Sequence, residues 1–148
     1  MAESDLSELH ATVGDRLRGA GQRYTPSRRA LVAALVGADR PPTIPELLGD
    51  RPGLAQSSAY RNLSVLEQAG IVHRIVTNDE HARFELAEDL AGHHHHLVCG
   101  RCGRVEDFTV SASLERSLEA ALAKVAGGTG FAVDHHRLDL VGTCSDCT

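Results

Sequence analysis

No run of 18 apolar residues occurs anywhere in the 148-residue chain, and no apolar segment leads into a cleavage site near its start. The first absence excludes a membrane-spanning helix and the second a secretory leader, so the sequence predicts a soluble, cytoplasmic protein with no membrane partner. The chain is also short. At 148 residues it makes one ordinary domain or two small ones, and a half of about 75 residues buries a core thin enough to need a metal or a partner chain. There is no internal repeat, and the only low-complexity stretch is a block of four histidines. Cysteine is confined to two Cys-x-x-Cys pairs, which in a reducing compartment point to metal ligation rather than disulfides. Two zinc-enzyme signatures are missing as well. There is no His-Glu-x-x-His, and neither cysteine pair follows a proline or is matched by His-x-Glu, so protease and deaminase chemistry find no footing.

Charge is unevenly spread. Residues 1–77 carry nine arginines against eight carboxylates, whereas residues 78–148 carry six cationic side chains against twelve carboxylates. Five of the arginines, Arg16, Arg18, Arg23, Arg28 and Arg29, fall within fourteen residues. Such a local basic patch either binds nucleic acid or solvates a helix face, and an acidic whole chain does not decide between them.

The pattern of elements favours nucleic acid. Leu6, Leu9, Val13 and Leu17 recur at helical spacing over residues 4–20. "YTPSRRALVAALVGA" opens with Thr25 as N-cap and Pro26 at the first helical position, and "DRPP" stops it. "TIPELLGD" reads as a short helix whose Thr43 and Glu46 form a capping box. In "PGLAQSSAYRNLSVLEQAG" either Ser57 or Ser58 caps a helix with a buried face of Leu63, Leu66 and Ala69 and a stop at Gly70. "IVHRIVT" and "ARFELA" read as strands joined by a turn at "NDEH". Capped helices followed directly by a hairpin are the order of a winged helix-turn-helix. After a polar connection, "EDLAG", two strands ("HHLVCG", "RVEDFTV"), a long helix ("SASLERSLEAALAKVAGG") and a strand ("FAVDHHRLDLVG") make a small β-β-α-β unit. The expectation is an α+β protein with a winged helix over residues 1–87, a hinge over 88–92 and a metal-binding unit over 93–148.

The strongest chemical signal is Cys99-x-x-Cys102 with Cys144-x-x-Cys147, four thiolates of the kind tetrahedral Zn2+ takes. Directly before it stands "GHHHHLVC". A purification tag sits at a chain end, whereas this block is internal. If it is extended, His93 and His95 face one way and His94 and His96 the other, so the block feeds two sites. Glu85, Glu106, Asp107, Glu115, His73, His81, His135 and His136 are available to complete them, and mixed imidazole–carboxylate sets suit zinc, iron, manganese or nickel.

"GQRYTPSRRALV", "SSAYRNLSVLEQAGIV", "RFELAE", "HHHHLVCGRCGRVEDF" and "HHRLDLVGTCSDC", spanning about Gly21 to Cys147, together resemble the ferric uptake regulator family of metal-responsive bacterial repressors. That resemblance implies a homodimer on a double-stranded, pseudo-palindromic DNA operator, with no small-molecule substrate and no enzymatic activity. It implies a structural Zn2+ on Cys99, Cys102, Cys144 and Cys147. It implies a regulatory site of Glu85, His94, His96 and Asp107, with His73 a candidate to complete it, and an additional site of His93, His95, Glu115 and His136. The DNA-facing residues would be Arg23, Thr25, Arg28, Ser57, Ser58, Tyr60 and Arg61. The chain departs from family patterns at three places. Pro41 or Pro42 stands where iron- and peroxide-sensing members carry a histidine ligand. Ala87 replaces a cysteine of zinc-sensing members, and His73 replaces their aspartate. The regulatory ion is therefore Fe2+ or Zn2+ as first expectation, with Mn2+, Ni2+ and peroxide sensing as alternatives. From other classes, a zinc-storage module would leave the winged helix without a use.

Overall fold

The computed structural model describes residues 2–49, 51 and 54–148. Four helices, α1 (Glu3–Gly19), α2 (Pro26–Val36), α3 (Ile44–Leu48) and α4 (Gln56–Gln68), lead into an antiparallel hairpin of β1 (Val72–Ile75) and β2 (Arg83–Leu86). A short α5 (Glu88–Ala91) connects to β3 (His95–Cys99), β4 (Val105–Phe108), α6 (Ala112–Gly127) and β5 (Asp139–Gly142). The second sheet runs β4-β3-β5, with β4 antiparallel and β5 parallel to β3. Four helices and a hairpin, joined through α5 to a β-β-α-β unit, make the α+β, winged-helix architecture expected from the sequence.

The first half is held by one apolar core. Val13 and Leu17 of α1, Leu31 and Val32 of α2, Ile44 and Leu47 of α3, Leu63 and Leu66 of α4, and Ile71, Val72 and Phe84 of the hairpin are buried together. Helical spacing on α1, α2 and α4 places these residues on a single stripe each. Thr25 accepts a hydrogen bond from the Arg28 amide, and Thr43 and Glu46 close the expected box, each cap contributing about 1 kcal/mol. Gly70, at φ +68°, ends α4 in a conformation that strains any residue with a Cβ.

Three expectations are corrected and one is refined. Neither Ser57 nor Ser58 caps α4: the N-cap is Ala55, without a side-chain bond, and both serines lie in the first turn. Ala69 packs against the core as expected, but as the C-cap of α4 it is only half-buried. The "EDLAG" connection is not a plain link but contains α5, whose Asp89 pairs with Arg16 on α1 while Arg16 also donates to the Gly70 carbonyl (3.1 Å). Residues 131–138 are not strand; only Asp139–Gly142 pairs with β3. Asp50, Pro52 and Gly53, which the sequence places between α3 and α4, lie outside the described residues.

The second half buries little. Among the described residues α6 has no buried side chain, and Leu114, Val125, Phe131, Val133, Leu140 and Val141 stand exposed. The first half holds the stability: Leu63→Ala, at a site with no solvent exposure, should cost about 2–5 kcal/mol. Thermal or denaturant unfolding followed by circular dichroism measures this, and a change below about 1 kcal/mol would contradict the core described.

Candidate metal centres and nucleic-acid face

The histidine block splits as an extended chain requires. His94 and His96 gather with Glu85 and Asp107, and His93 and His95 gather with Glu115 and His136. The four cysteines form a third group, and in each group one ligand atom per residue lies within 4.8 Å of all the others.

In the first cluster the β1–β2 hairpin brings Glu85 against β3. Its Oε2 lies 2.9 Å from Nε2 of both His94 and His96, while Asp107 Oδ1 lies 4.0 and 3.9 Å from the same nitrogens. Asp107 reaches this face because it pairs directly across from His96 on β4. His94 Nδ1 donates to the Gly92 carbonyl (2.9 Å), and His96 Nδ1 donates to Asp139 Oδ1 (3.2 Å). Both acceptors hold the Nδ1 proton, which leaves the Nε2 lone pairs directed into the cluster once the rings are neutral. Burial opposes ionisation of Glu85, but hydrogen bonds from His96 and His94 outweigh it and hold the carboxyl below its ordinary range. His96 is raised chiefly by its bond to Glu85; for His94 burial acts downward, and the bonds to Glu85 and Gly92 overcome it. Burial and the neighbouring Glu85 charge raise Asp107. Two carboxylates and two proton-holding imidazoles in one pocket are a set that a divalent cation fits by replacing the protons.

Glu115, in the first turn of α6, organises the second cluster. Its Oε1 lies 3.0 Å from His93 Nε2 and 2.9 Å from His136 Nε2, and its Oε2 lies 3.0 Å from His95 Nε2. His95 is 1% exposed. His95 Nδ1 and His136 Nε2 are buried without a hydrogen-bond partner, the latter despite its proximity to Glu115. The unpartnered His136 Nε2 beside the Glu115 carboxylate suits a cation site, whereas His95 meets Glu115 through Nε2 and its orphaned Nδ1 lies on the far side of the ring. The hydrogen bond that His93 donates to the Glu88 carboxylate is the chief reason His93 is raised.

Among the cysteines, Cys99 sits at the end of β3 and Cys102 on the turn after it, while Cys144 and Cys147 follow β5, so the parallel β3–β5 pairing brings the two pairs together. Backbone N–H groups of Cys102, Cys144 and Arg101 lower Cys99 to about 6, whereas the thiols of Cys144 and Cys102 push Cys147 up to about 12. Four thiols this close do not all ionise unaided; a cation of zinc type, if bound here, would supply the missing charge.

His73 is exposed on β1, paired across from Glu85, and lines a small cavity beside the clusters without joining either. His135 lines the same cavity; His81 is exposed, and Glu106 pairs with Arg104, so none of these joins a cluster. Asp139 and Glu88, which hold His96 and His93, were not foreseen. The signal for Asp139 was its register with His96, which requires the β3–β5 pairing to be known first. Pro41 and Pro42 line a cavity of about 200 Å3 together with Glu85, His94 and Asp107, on the side where no further ligand reaches the first cluster.

On α4, Ser57, Tyr60 and Arg61 are exposed and share one face, with Tyr60 54% exposed. Ser58 is half-buried, Arg23 is exposed, and Thr25 is occupied as a cap. Arg28 is engaged internally: it donates to Asn62 Oδ1 (3.1 Å), Gln22 Oε1 (3.3 Å) and the Arg23 carbonyl (2.6 Å), bracing α2 against α4.

A family model described as the ferric uptake regulator family matches residues 19–141. The peroxide operon regulator of Bacillus subtilis is 32% identical over 152 residues, covering 100% of this chain and 97% of that protein. The peroxide-responsive repressor PerR of Staphylococcus aureus is 32% identical over 151 residues, covering 98% and 95%. In three dimensions the Helicobacter pylori ferric uptake regulator, whose structure is described as revealing three functional metal binding sites, aligns with a TM-score of 0.73 at 20% identity over 96% of this chain and 93% of that one. The Vibrio cholerae ferric uptake regulator aligns with a TM-score of 0.69 at 28% identity over 88% and 98%. Matched over most of its length by the family model and over nearly all of it by relatives at 32% identity, the chain belongs to the ferric uptake regulator family, whose members are transcriptional regulators and not enzymes.

Proposed function

We propose that this chain is a cytoplasmic, metal-dependent repressor that binds a pseudo-palindromic DNA operator as a homodimer. One observation carries the reading: Glu85, on the winged helix, shares a single oxygen with His94 and His96 of the following unit. Residues 1–87 act as the DNA-binding unit, 88–92 as its hinge and 93–148 as the metal-binding, dimerising unit. Glu85, His94, His96 and Asp107 hold the regulatory ion. His93, His95, Glu115 and His136 hold an additional one, and Cys99, Cys102, Cys144 and Cys147 a structural Zn2+. A regulatory ion supplies positive charge that binds Glu85 to the imidazoles and so fixes the wing on the β3–β4 hairpin. The exposed apolar side chains of α6 and β5 suit a second copy of the chain. In such a dimer two α4 helices must dock about one DNA turn apart, roughly 34 Å, or a simple multiple of it. Fixing the wings sets that separation, which is a coupling between metal and DNA sites.

Imidazole and carboxylate donors suit Fe2+ or Zn2+, and also Mn2+ or Ni2+. Peroxide sensing is supported comparably, because the whole-length relatives at 32% identity are peroxide regulators. Gel shift with each metal, with and without hydrogen peroxide, separates the readings: peroxide release from the iron-loaded but not the zinc-loaded protein marks a peroxide sensor. In the same assay His96→Ala should abolish metal-dependent operator binding while the dimer persists. His95→Ala should keep much of the response and lower dimer stability. Identical titrations and melting temperatures for the two variants would show one undivided cluster.

DNA contact is expected on the face of α4. Arg61→Ala should cost about 1–3 kcal/mol in operator affinity if it reads a base edge. Arg23→Ala should weaken all sequences alike and reduce the salt slope by about one unit. Unchanged affinity in both would overturn the assignment of this face.

The pKa directions set a pH dependence. His94 and His96 are raised, so protons stay on them to higher pH than on free imidazole, and metal must displace these protons. Regulatory metal affinity should therefore fall as pH drops through the upper histidine range, by about tenfold per pH unit for each imidazole that must give up a proton. Competitive metal titration between about pH 8 and pH 6 checks this, and a flat profile would contradict it.

A further inference from the structure

The wing is attached to the second half at a place other than Glu85. The turn between β1 and β2 lies against the Gly100–Gly103 turn that carries Cys102. Asn78 Nδ2 donates to the Gly100 carbonyl at 3.2 Å, and Arg83 Nη2 donates to the Cys102 carbonyl at 3.4 Å. Arg83, 7% exposed, is held rigidly by Asp79 (2.8 and 2.9 Å), by Thr77 Oγ1 (2.9 Å) and by the His81 carbonyl (3.3 Å). Gly103 completes the fit. It sits at φ +72°, and a Cβ there would collide with the Asp79 carboxylate, so the wing turn occupies the space that a larger residue would fill. β2 is thus attached at both ends of the β3–β4 hairpin: Glu85 meets His94, His96 and Asp107 at one end, and the wing turn meets the cysteine turn at the other.

We propose that this wing turn is a latch, and that its closure on the cysteine turn raises the affinity of the Glu85 cluster for a divalent cation. The proposal rests on the reading of that cluster as the regulatory site. Glu85 can serve only while the wing lies on the second half. An apparent dissociation constant equals the intrinsic one divided by the fraction of molecules in that arrangement. Asn78, Asp79 and Arg83 raise the fraction without touching the ion. The four-cysteine site thereby acts at a distance, because it shapes the turn on which the latch closes. By reciprocity a cation at the Glu85 cluster must tighten the latch by the same factor.

The test uses the full chain with zinc retained at the cysteines and Mn2+ as probe, its binding followed by the free-ion electron paramagnetic resonance signal. Asn78→Ala removes one hydrogen bond and leaves the Asp79–Arg83 pair in place; Asp79→Ala breaks the pair. Glu85→Ala identifies the Mn2+ step that belongs to the cluster. Both latch variants should raise the dissociation constant of that step at least fivefold, within the roughly 5–150-fold range of such couplings. In the wild type, hydrogen exchange of residues 77–83 should slow when Mn2+ is added. Wild-type affinity in both latch variants, or exchange at 77–83 that ignores Mn2+, would overturn the latch while leaving the regulatory site intact. Mn2+ binding unaltered by Glu85→Ala would instead remove the regulatory reading on which the latch rests.

Discussion

An extended strand cannot point two adjacent side chains the same way, and the chemistry of the second half depends on that constraint. The histidine block leads into β3, which holds His95 and His96, and the alternation runs on through His93 and His94 before it, sending two imidazoles to Glu85 and two to Glu115. Each pair is then completed by a different part of the fold, the wing and β4 for one, α6 and the segment before β5 for the other. The same strand ends in Cys99, so a single five-residue element reaches all three clusters. A one-residue slip in its pairing would exchange the two faces. The antiparallel register with β4 and the parallel register with β5 therefore fix which donors each cluster gathers as well as how the sheet is held.

The acidic balance of residues 78–148 takes on meaning in this setting. Several of those carboxylates, Glu85, Asp107, Glu115, Glu88 and Asp139, converge on the imidazoles, Glu85 and Glu115 largely shielded from water and the other three still open to it. In the metal-free protein, protons on the histidines offset part of this charge. Glu88 and Asp139 do not enter the clusters but hold the far nitrogens of His93 and His96, and such partners orient a ring and set which nitrogen is free.

Much of this was legible in the sequence because it depended on local rules. Thr25 with Pro26, Thr43 with Glu46 and Gly70 are written into the chain as helix boundaries, and the split of the histidines needs only the period of a strand. The four cysteines were legible from spacing alone. What was hidden depended on long-range pairing. Asp139 looks like any polar strand residue until β5 is placed beside β3. The α5 turn is held by Asp89 reaching Arg16, a partner 73 residues away. Arg28 belonged to an apparent basic patch but is turned inward onto Asn62, which no charge count reveals. The serines before α4 carried a capping preference that the backbone did not use, because the helix begins one residue ahead of Ser57.

The prolines beside the first cluster bear on time as well as affinity. Pro41 and Pro42 can offer no side-chain donor, and the cavity they line opens onto Glu85, His94 and Asp107. A cation enclosed by protein donors on every side leaves only when part of the fold opens. One bordered by an open wall can shed its ligands stepwise as water or an incoming chelating group takes their place. Four thiolates would fill every position of a tetrahedral ion, so the cysteine cluster would belong to the first kind by its donor set, and the Glu85 cluster, bordered by that cavity, to the second. Two ions held in these two ways would differ in residence time within one small chain, the first lasting as long as the fold around it and the second exchanging with its surroundings.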